Sequence, residues 1–194
     1  METLVQSPAA AQMGFKEWAL VCAALGAGRQ SLILRKGGIA EGRDGFRFKH
    51  EDFYLFPTQY HQQAAKVRPE EAQALDLVPA PVAGFVEIRL FFRLEWAVWI
   101  DDWAALLRLE PFHIWREEVV RERFDYDAPA GLQCAFGRVY QLTPAWTFPD
   151  RPAYGGCLSW VSLPEPAPEQ FTLKPVLDDA RHRILASQVR AAFA

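Results

Sequence analysis

Between Phe85 and Ile100 every even position is apolar: Val86, Ile88, Leu90, Phe92, Leu94, Trp96, Val98 and Ile100. The odd positions include Glu87, Arg89, Arg93 and Glu95. Strict alternation predicts a strand with one buried face. Strands usually run about 3–10 residues, so one of this length must coil strongly, as in a barrel or a highly twisted sheet. Shorter apolar runs predict strands over Arg29 to Leu34, Phe53 to Phe56, Leu132 to Leu142 and Cys157 to Leu163.

Other stretches carry the helical period. Phe15, Trp18, Cys22 and Leu25 fall on one stripe and Gly26 and Gly28 supply a stop, which predicts a helix over Phe15 to Leu25. Pro57 fits the first turn of a helix from Thr58 to about Val67, and Arg68 to Glu71 starts another. Asp101 and Asp102 suit the cap of a helix through Leu107. His113 to Phe124 reads as a helix burying Trp115, Val119 and Phe124, with Glu117 and Arg121 as an i,i+4 pair. Asp178 to Phe193 reads as an amphipathic helix that turns Ile184, Leu185, Val189 and Ala192 inward. No regular β-α-β alternation is present. The fold class is therefore α+β, with a coiled, mostly antiparallel sheet or small barrel flanked by helices. Residues 1–13 are expected to be a flexible N-terminus, 14–163 a single α+β domain, and 164–194 a linker and helix packing on it.

Composition narrows the function classes. About half of the 194 residues are apolar and the net charge is only −3, so bulk charge does not steer the chain to nucleic acid or membranes. Local charge is uneven. Arg29 to His50 holds six Lys and Arg against two acids, whereas Ala80 to Asp127 holds ten acids against six Arg. Cys22, Cys134 and Cys157 are far apart, which predicts reduced, buried thiols and a cytoplasmic protein. There is no membrane-length apolar run and no signal-peptide pattern.

Three constellations could carry chemistry. Arg35-Lys36-Gly37-Gly38, with Arg43 beyond, sets two cations beside glycines whose N–H groups can form an anion-binding concavity; a solvated hairpin tip is the alternative. The order differs from a phosphate loop, because the Lys precedes the glycines. In the block F-P-T-Q-Y-H-Q, His61 is the candidate general acid or base and Gln62 a reader of a hydrogen-bonding edge; a packed, structural His is the alternative. Tyr154, Gly155 and Gly156 could lie beside the first Gly-Gly pair, with Tyr154 stacking on a base; a tight turn into a strand is the alternative. The expectation is that Arg35 to Gly38 lies next to His61 in one anion-accepting site. No metal is expected: Glu87-Ile88-Arg89 has Arg where a metal-dependent nuclease core needs Lys, and the other histidines are dispersed. No cofactor is expected either.

The blocks F-K-E-W-A-L-V-C, L-R-K-G-G-I, F-Y-L-F-P-T-Q-Y-H-Q and Y-G-G-C-L-S-W-V-S-L resemble an uncharacterised bacterial family, domain-of-unknown-function family 1802. A further block, Pro111 to Trp115, is one residue longer than the family spacing. Some members of that family stand beside restriction-endonuclease-type domains, which implies work on nucleic acid in a defence or modification setting. The second half is also similar to base-recognising barrels of the pseudouridine-synthase-and-archaeosine type; Lys36, Glu41 and Arg43 keep the residue types of their G-x-K-x-x-E-x-R block, but Lys to Glu is too long. Three functions stand open. One is a nucleic-acid-associated module binding phosphate at the Arg-Lys-Gly-Gly turn. Another is a small-molecule or nucleotide-processing enzyme using His61. The third is an interaction module presenting its C-terminal helix and a Trp-rich surface.

Overall fold

The computed structural model describes residues 12–36, 46–59, 62–73, 78, 80, 82–165 and 171–193. Gly37, Gly38, Arg43, His61 and most of the expected N-terminal tail lie outside the described residues.

The architecture is α+β. Among the described residues seven strands form one mostly antiparallel sheet in the order β2-β5-β4-β3-β1-β6, with β7 pairing β5. The strands are β1 (Met13–Trp18), β2 (Leu32–Arg35), β3 (Asp52–Thr58), β4 (Phe85–Ile100), β5 (Leu132–Pro149), β6 (Trp160–Ser162) and β7 (Thr172–Pro175). The helices are α1 (Ala19–Gly26), α2 (Gln63–Lys66), α3 (Pro69–Ala72), α4 (Trp103–Arg108), α5 (Glu117–Asp125) and α6 (Asp179–Ala191).

The long alternation does form a strand, paired along its length with the still longer β5. Its even positions are not on one face, however. Register shifts fall between Ile88 and Leu90 and between Leu94 and Trp96. The parity changes at the first, where β4 advances two residues against five in β5, and is kept across the second, where Leu94, Trp96 and Ile100 stay with Leu90 and Phe92. Val86 and Ile88 accordingly join Phe91, Tyr140 and Trp146 in one core, while Leu90 and Phe92 join Phe15, Phe53 and Phe136 in the other. Val98, expected inside, is 42% exposed. The two bulges let the sheet coil between two separate hydrophobic clusters. Gly137 marks the tightest crossing: a Cβ there would come within 2.2 Å of the Arg93 carbonyl oxygen.

Four other expectations need correction. Phe15 to Trp18 is extended, because this segment pairs parallel with β3, Phe15 opposite Leu55 and Trp18 opposite Thr58; the helix begins only at Ala19. Long-range pairing overrides the helical spacing. Pro57 and Thr58 belong to β3, whose pairing with β4 ends at Tyr54, so the missing N–H of Pro57 breaks no ladder on that side. The C-terminal helix is capped by Asp178, which accepts from the Arg181 N–H at 2.8 Å, and buries Val189, but Ile184 is 59% exposed. Arg121 pairs with Asp125 at 2.5 Å rather than with Glu117. Asp102 caps α4 as its sequence suggests, accepting from the Ala104 N–H at 2.9 Å.

All three cysteines are free; Cys22 and Cys134 are buried, but Cys157 is exposed on the loop before β6. Among the described residues no helix is long and apolar enough to cross a membrane.

Candidate functional site at the end of the first strand

Strand β1 ends in Lys16-Glu17-Trp18, and both charged side chains are withdrawn from water, Lys16 to 8% and Glu17 to 2% exposure. Their placement follows from the pairing of β1 with β3 on one side and β6 on the other. The Lys16 ammonium donates to the carbonyl oxygens of Gly155 (3.1 Å) and Gly156 (3.0 Å). Burial lowers its pKa; the nearby charges of Cys157 and Asp150 act in the opposite sense, and Arg35 reinforces the lowering. Its backbone N–H donates to the Ser159 carbonyl at 2.8 Å.

Ser159 is itself buried, and its hydroxyl accepts from the Arg35 guanidinium at 2.7 Å. Arg35 is half-buried at the end of β2, over the rings of Phe15 (5.5 Å) and Phe46 (6.0 Å). Phe15 packs in turn on Phe48, Phe53 and Trp160. Among the described residues the buried Trp160 indole N–H has no hydrogen-bond partner.

Glu17 is the most unusual group. One carboxylate oxygen accepts from the Trp18 N–H at 2.8 Å. Among the described residues it makes no ion pair. Its main-chain carbonyl accepts from the Thr58 hydroxyl at 3.1 Å and the Cys22 thiol at 3.9 Å. Burial pushes the carboxyl pKa up, and the more distant Arg35 and Arg123 only partly offset this. The Arg123 guanidinium lies 3.9 Å from the Trp115 ring centroid and 5.1 Å from that of Trp18. Burial lowers its pKa to about 10. Two guanidinium groups, Arg35 and Arg123, thus act on one carboxyl whose charged form burial disfavours. Such a carboxyl holds its proton to higher pH than an exposed one.

The sequence-predicted residues divide. Arg35 joins the cluster, and Gly155 and Gly156 reach it through Lys16. Lys36 does not: its ammonium donates to the carbonyl oxygens of Phe124 (3.2 Å), Asp127 (2.7 Å) and Pro129 (2.7 Å) and lies 5.3 Å from the Trp99 ring centroid. It ties the end of β2 to the loop after α5. Tyr154 is buried, in T-shaped contact with Phe56 and Phe148. Gln62 stands just before α2, and the neighbouring Gln63 accepts from the Leu20 N–H at 3.1 Å. His113 is buried and accepts from the Trp115 N–H through Nδ1; burial, with Arg68 and Arg123 nearby, lowers its pKa to about 3, so it stays neutral. No cluster of three His, Cys, Asp or Glu that could hold a metal ion occurs among the described residues.

Sequence reasoning missed Lys16, Glu17, Arg123 and Ser159. The available signal was Lys16-Glu17 itself, two adjacent charges set between Phe15 and Trp18 in an otherwise apolar run.

No curated protein matches the chain. Among solved structures, it is similar to a serine-to-alanine mutant of the ASCH protein of Zymomonas mobilis: 11% identity, TM-score 0.46, covering 93% of this chain and 98% of that one. It is also similar to a structure of ASCH from the same organism, with 12% identity, TM-score 0.44 and coverage of 90% and 93%. A family model described as domain of unknown function (DUF1802) matches residues 14–188, nearly the whole described sheet and its helices. The chain belongs to that family, DUF1802.

Proposed function

We propose that the chain is a nucleic-acid-associated module of the cytoplasm that takes a backbone phosphate at the Arg-Lys-Gly-Gly turn, with Arg35 as the contacting cation and Lys36 fixing the strand end behind it. The observation that supports this reading is the gathering of Lys16, Arg35 and Arg123, far apart in sequence, at one end of β1 in a chain whose overall charge is −3. Arg35 has the Ser159 hydroxyl as its neutral partner, and no ion pair to a carboxylate among the described residues. A guanidinium so placed keeps its charge and donors for an anion. The test is fluorescence anisotropy of a single-stranded oligonucleotide across a salt series, with the full chain and with Arg35→Ala. Binding that weakens steeply with salt in the parent, and loses about one unit of slope in the variant, supports the reading. Identical slopes overturn it.

A second reading, a small-molecule or nucleotide-processing enzyme with His61 as general acid or base, gains from Glu17. A carboxyl with a raised pKa beside cations is the kind of group that shares proton transfer with a histidine. Full competition by free mononucleotide, with chemical turnover of it, selects this reading over the first. A Trp-rich interaction surface has less support, since all seven tryptophans are buried or half-buried.

A further inference from the structure

Helix α1 carries the sequence Ala-Leu-Val-Cys-Ala-Ala-Leu-Gly and has no charged or amide side chain on any face. A helix apolar all round is normally enclosed by protein. Leu20, Val21, Ala24 and Leu25 do bury fully in the larger core. Ala19, Cys22, Ala23 and Gly26 also face open space. They line a cavity of about 1050 Å³. Leu55 and Phe56 of β3 and Val86 and Leu90 of β4 supply further apolar wall. Ligand sites typically enclose roughly 300–1,000 Å³, so the space is ample for a small molecule of several rings or a medium-length chain.

Three arginines line the cavity, together with the acids Glu87 and Asp150. Arg29 is ion-paired with Glu71, and Arg89 with Glu87 at 2.6 Å. Arg151 has no ion pair among the described residues. Its neighbour Asp150 accepts from the Arg151 backbone N–H at 2.8 Å, and its charge favours the ammonium of Lys16. Of the three arginines, Arg151 is the one without an ion pair among the described residues, beside an apolar wall.

We propose that this cavity is a binding site for an amphipathic monoanion: a small molecule with an aliphatic or aromatic body against α1 and a carboxylate or sulfonate head at Arg151. The site is distinct from the Arg35 phosphate contact and stands whether or not the chain binds nucleic acid.

The probe is 1-anilinonaphthalene-8-sulfonate, read by fluorescence with the full chain and displaced by dodecanoate. Ala23→Trp fills the interior and should weaken probe binding at least about tenfold while the melting temperature holds. Arg151→Gln should weaken dodecanoate roughly two- to fivefold, the range for an exposed charge pair, and leave dodecanol unchanged. Arg35→Ala should leave probe binding unchanged, so failure of the nucleic-acid reading and failure of this one are separately visible. A folded Ala23→Trp that binds the probe like the parent overturns the proposal, as does failure of dodecanoate to displace the probe. A measurement without substitution covers the case in which Ala23→Trp does not fold. Dodecanoate should slow alkylation of Cys22 by N-ethylmaleimide relative to exposed Cys157; equal rates with and without it overturn the proposal.

Discussion

The seat of the C-terminal helix and the end of β1 both bury charged side chains, and they treat them oppositely. At the helix seat the basic side chains have acidic partners. His182, almost enclosed, sits 2.5 Å from the Glu95 carboxylate and stacks on Phe136 at 5.4 Å. Arg138 meets Asp179, and Phe193 packs edge-on against Trp96. At the end of β1, Glu17 makes no ion pair among the described residues, and Arg35 and Arg123 rest on aromatic rings rather than on carboxylates. Matched buried charges hold two elements together. Unmatched ones keep their capacity for a ligand and lower the stability of the fold that carries them.

The largest effect should come from breaking the matched side. His182→Ala should cost about 3 kcal/mol in urea unfolding, since it removes both a packed ring and one partner of a largely buried pair, the Glu95 side being partly solvated. A loss under about 1 kcal/mol would mean that α6 is held by its apolar contacts alone, and the contrast would fail. Next comes His113, which stays neutral in the fold with a pKa of about 3 but protonates near pH 6.5 when unfolded. The unfolded chain therefore binds more protons between those values, and stability should fall as pH drops from about 6.5 towards 3, by roughly 2 kcal/mol or more. His113→Gln should flatten that part of the pH profile; an unchanged profile would assign the acid sensitivity elsewhere.

Glu17 carries the opposite sign. Its folded pKa is raised, so the native state holds its proton more tightly, and stability is lost as pH climbs from the ordinary carboxyl value through the folded one. Glu17→Gln should then stabilise the protein near pH 7 by about 1 kcal/mol. A decrease in melting temperature would show that Glu17 is satisfied in place and belongs with the matched class. The smallest effect on stability belongs to Arg35→Ala, a shift within about 1 kcal/mol, although this variant should change salt-dependent binding most.

How far these regions could be read beforehand differs for physical reasons. The α+β class and the long alternating strand β4 were legible because alternation over that length has no other economical explanation. Its two bulges were not, since an even-numbered apolar run looks the same whether or not the backbone inserts an extra residue. Phe15 to Trp18 carried a helical spacing and became a strand, because the pairing partner Tyr54 to Thr58 lies some forty positions on. Arg35 and the second Gly-Gly pair were visible as local composition. Glu17, Arg123 and Ser159 were not, as each is ordinary in its own neighbourhood and unusual only in what the fold brings beside it. Lys36 shows the converse: beside two glycines it looked like an anion ligand, and its donors serve three carbonyl groups.

The pairing of β1 has a consequence for the order in which the molecule forms. Lys16 is bonded to carbonyl groups 139 and 140 residues further along the chain. Closing so long a loop has an entropic cost that only the finished ladder offsets, and contacts of this span are slow to form. During synthesis Lys16 and Glu17 emerge first and must wait for β6 before either is enclosed. The cation cluster therefore matures last, and a chain halted before Trp160 carries its basic and acidic groups still in water.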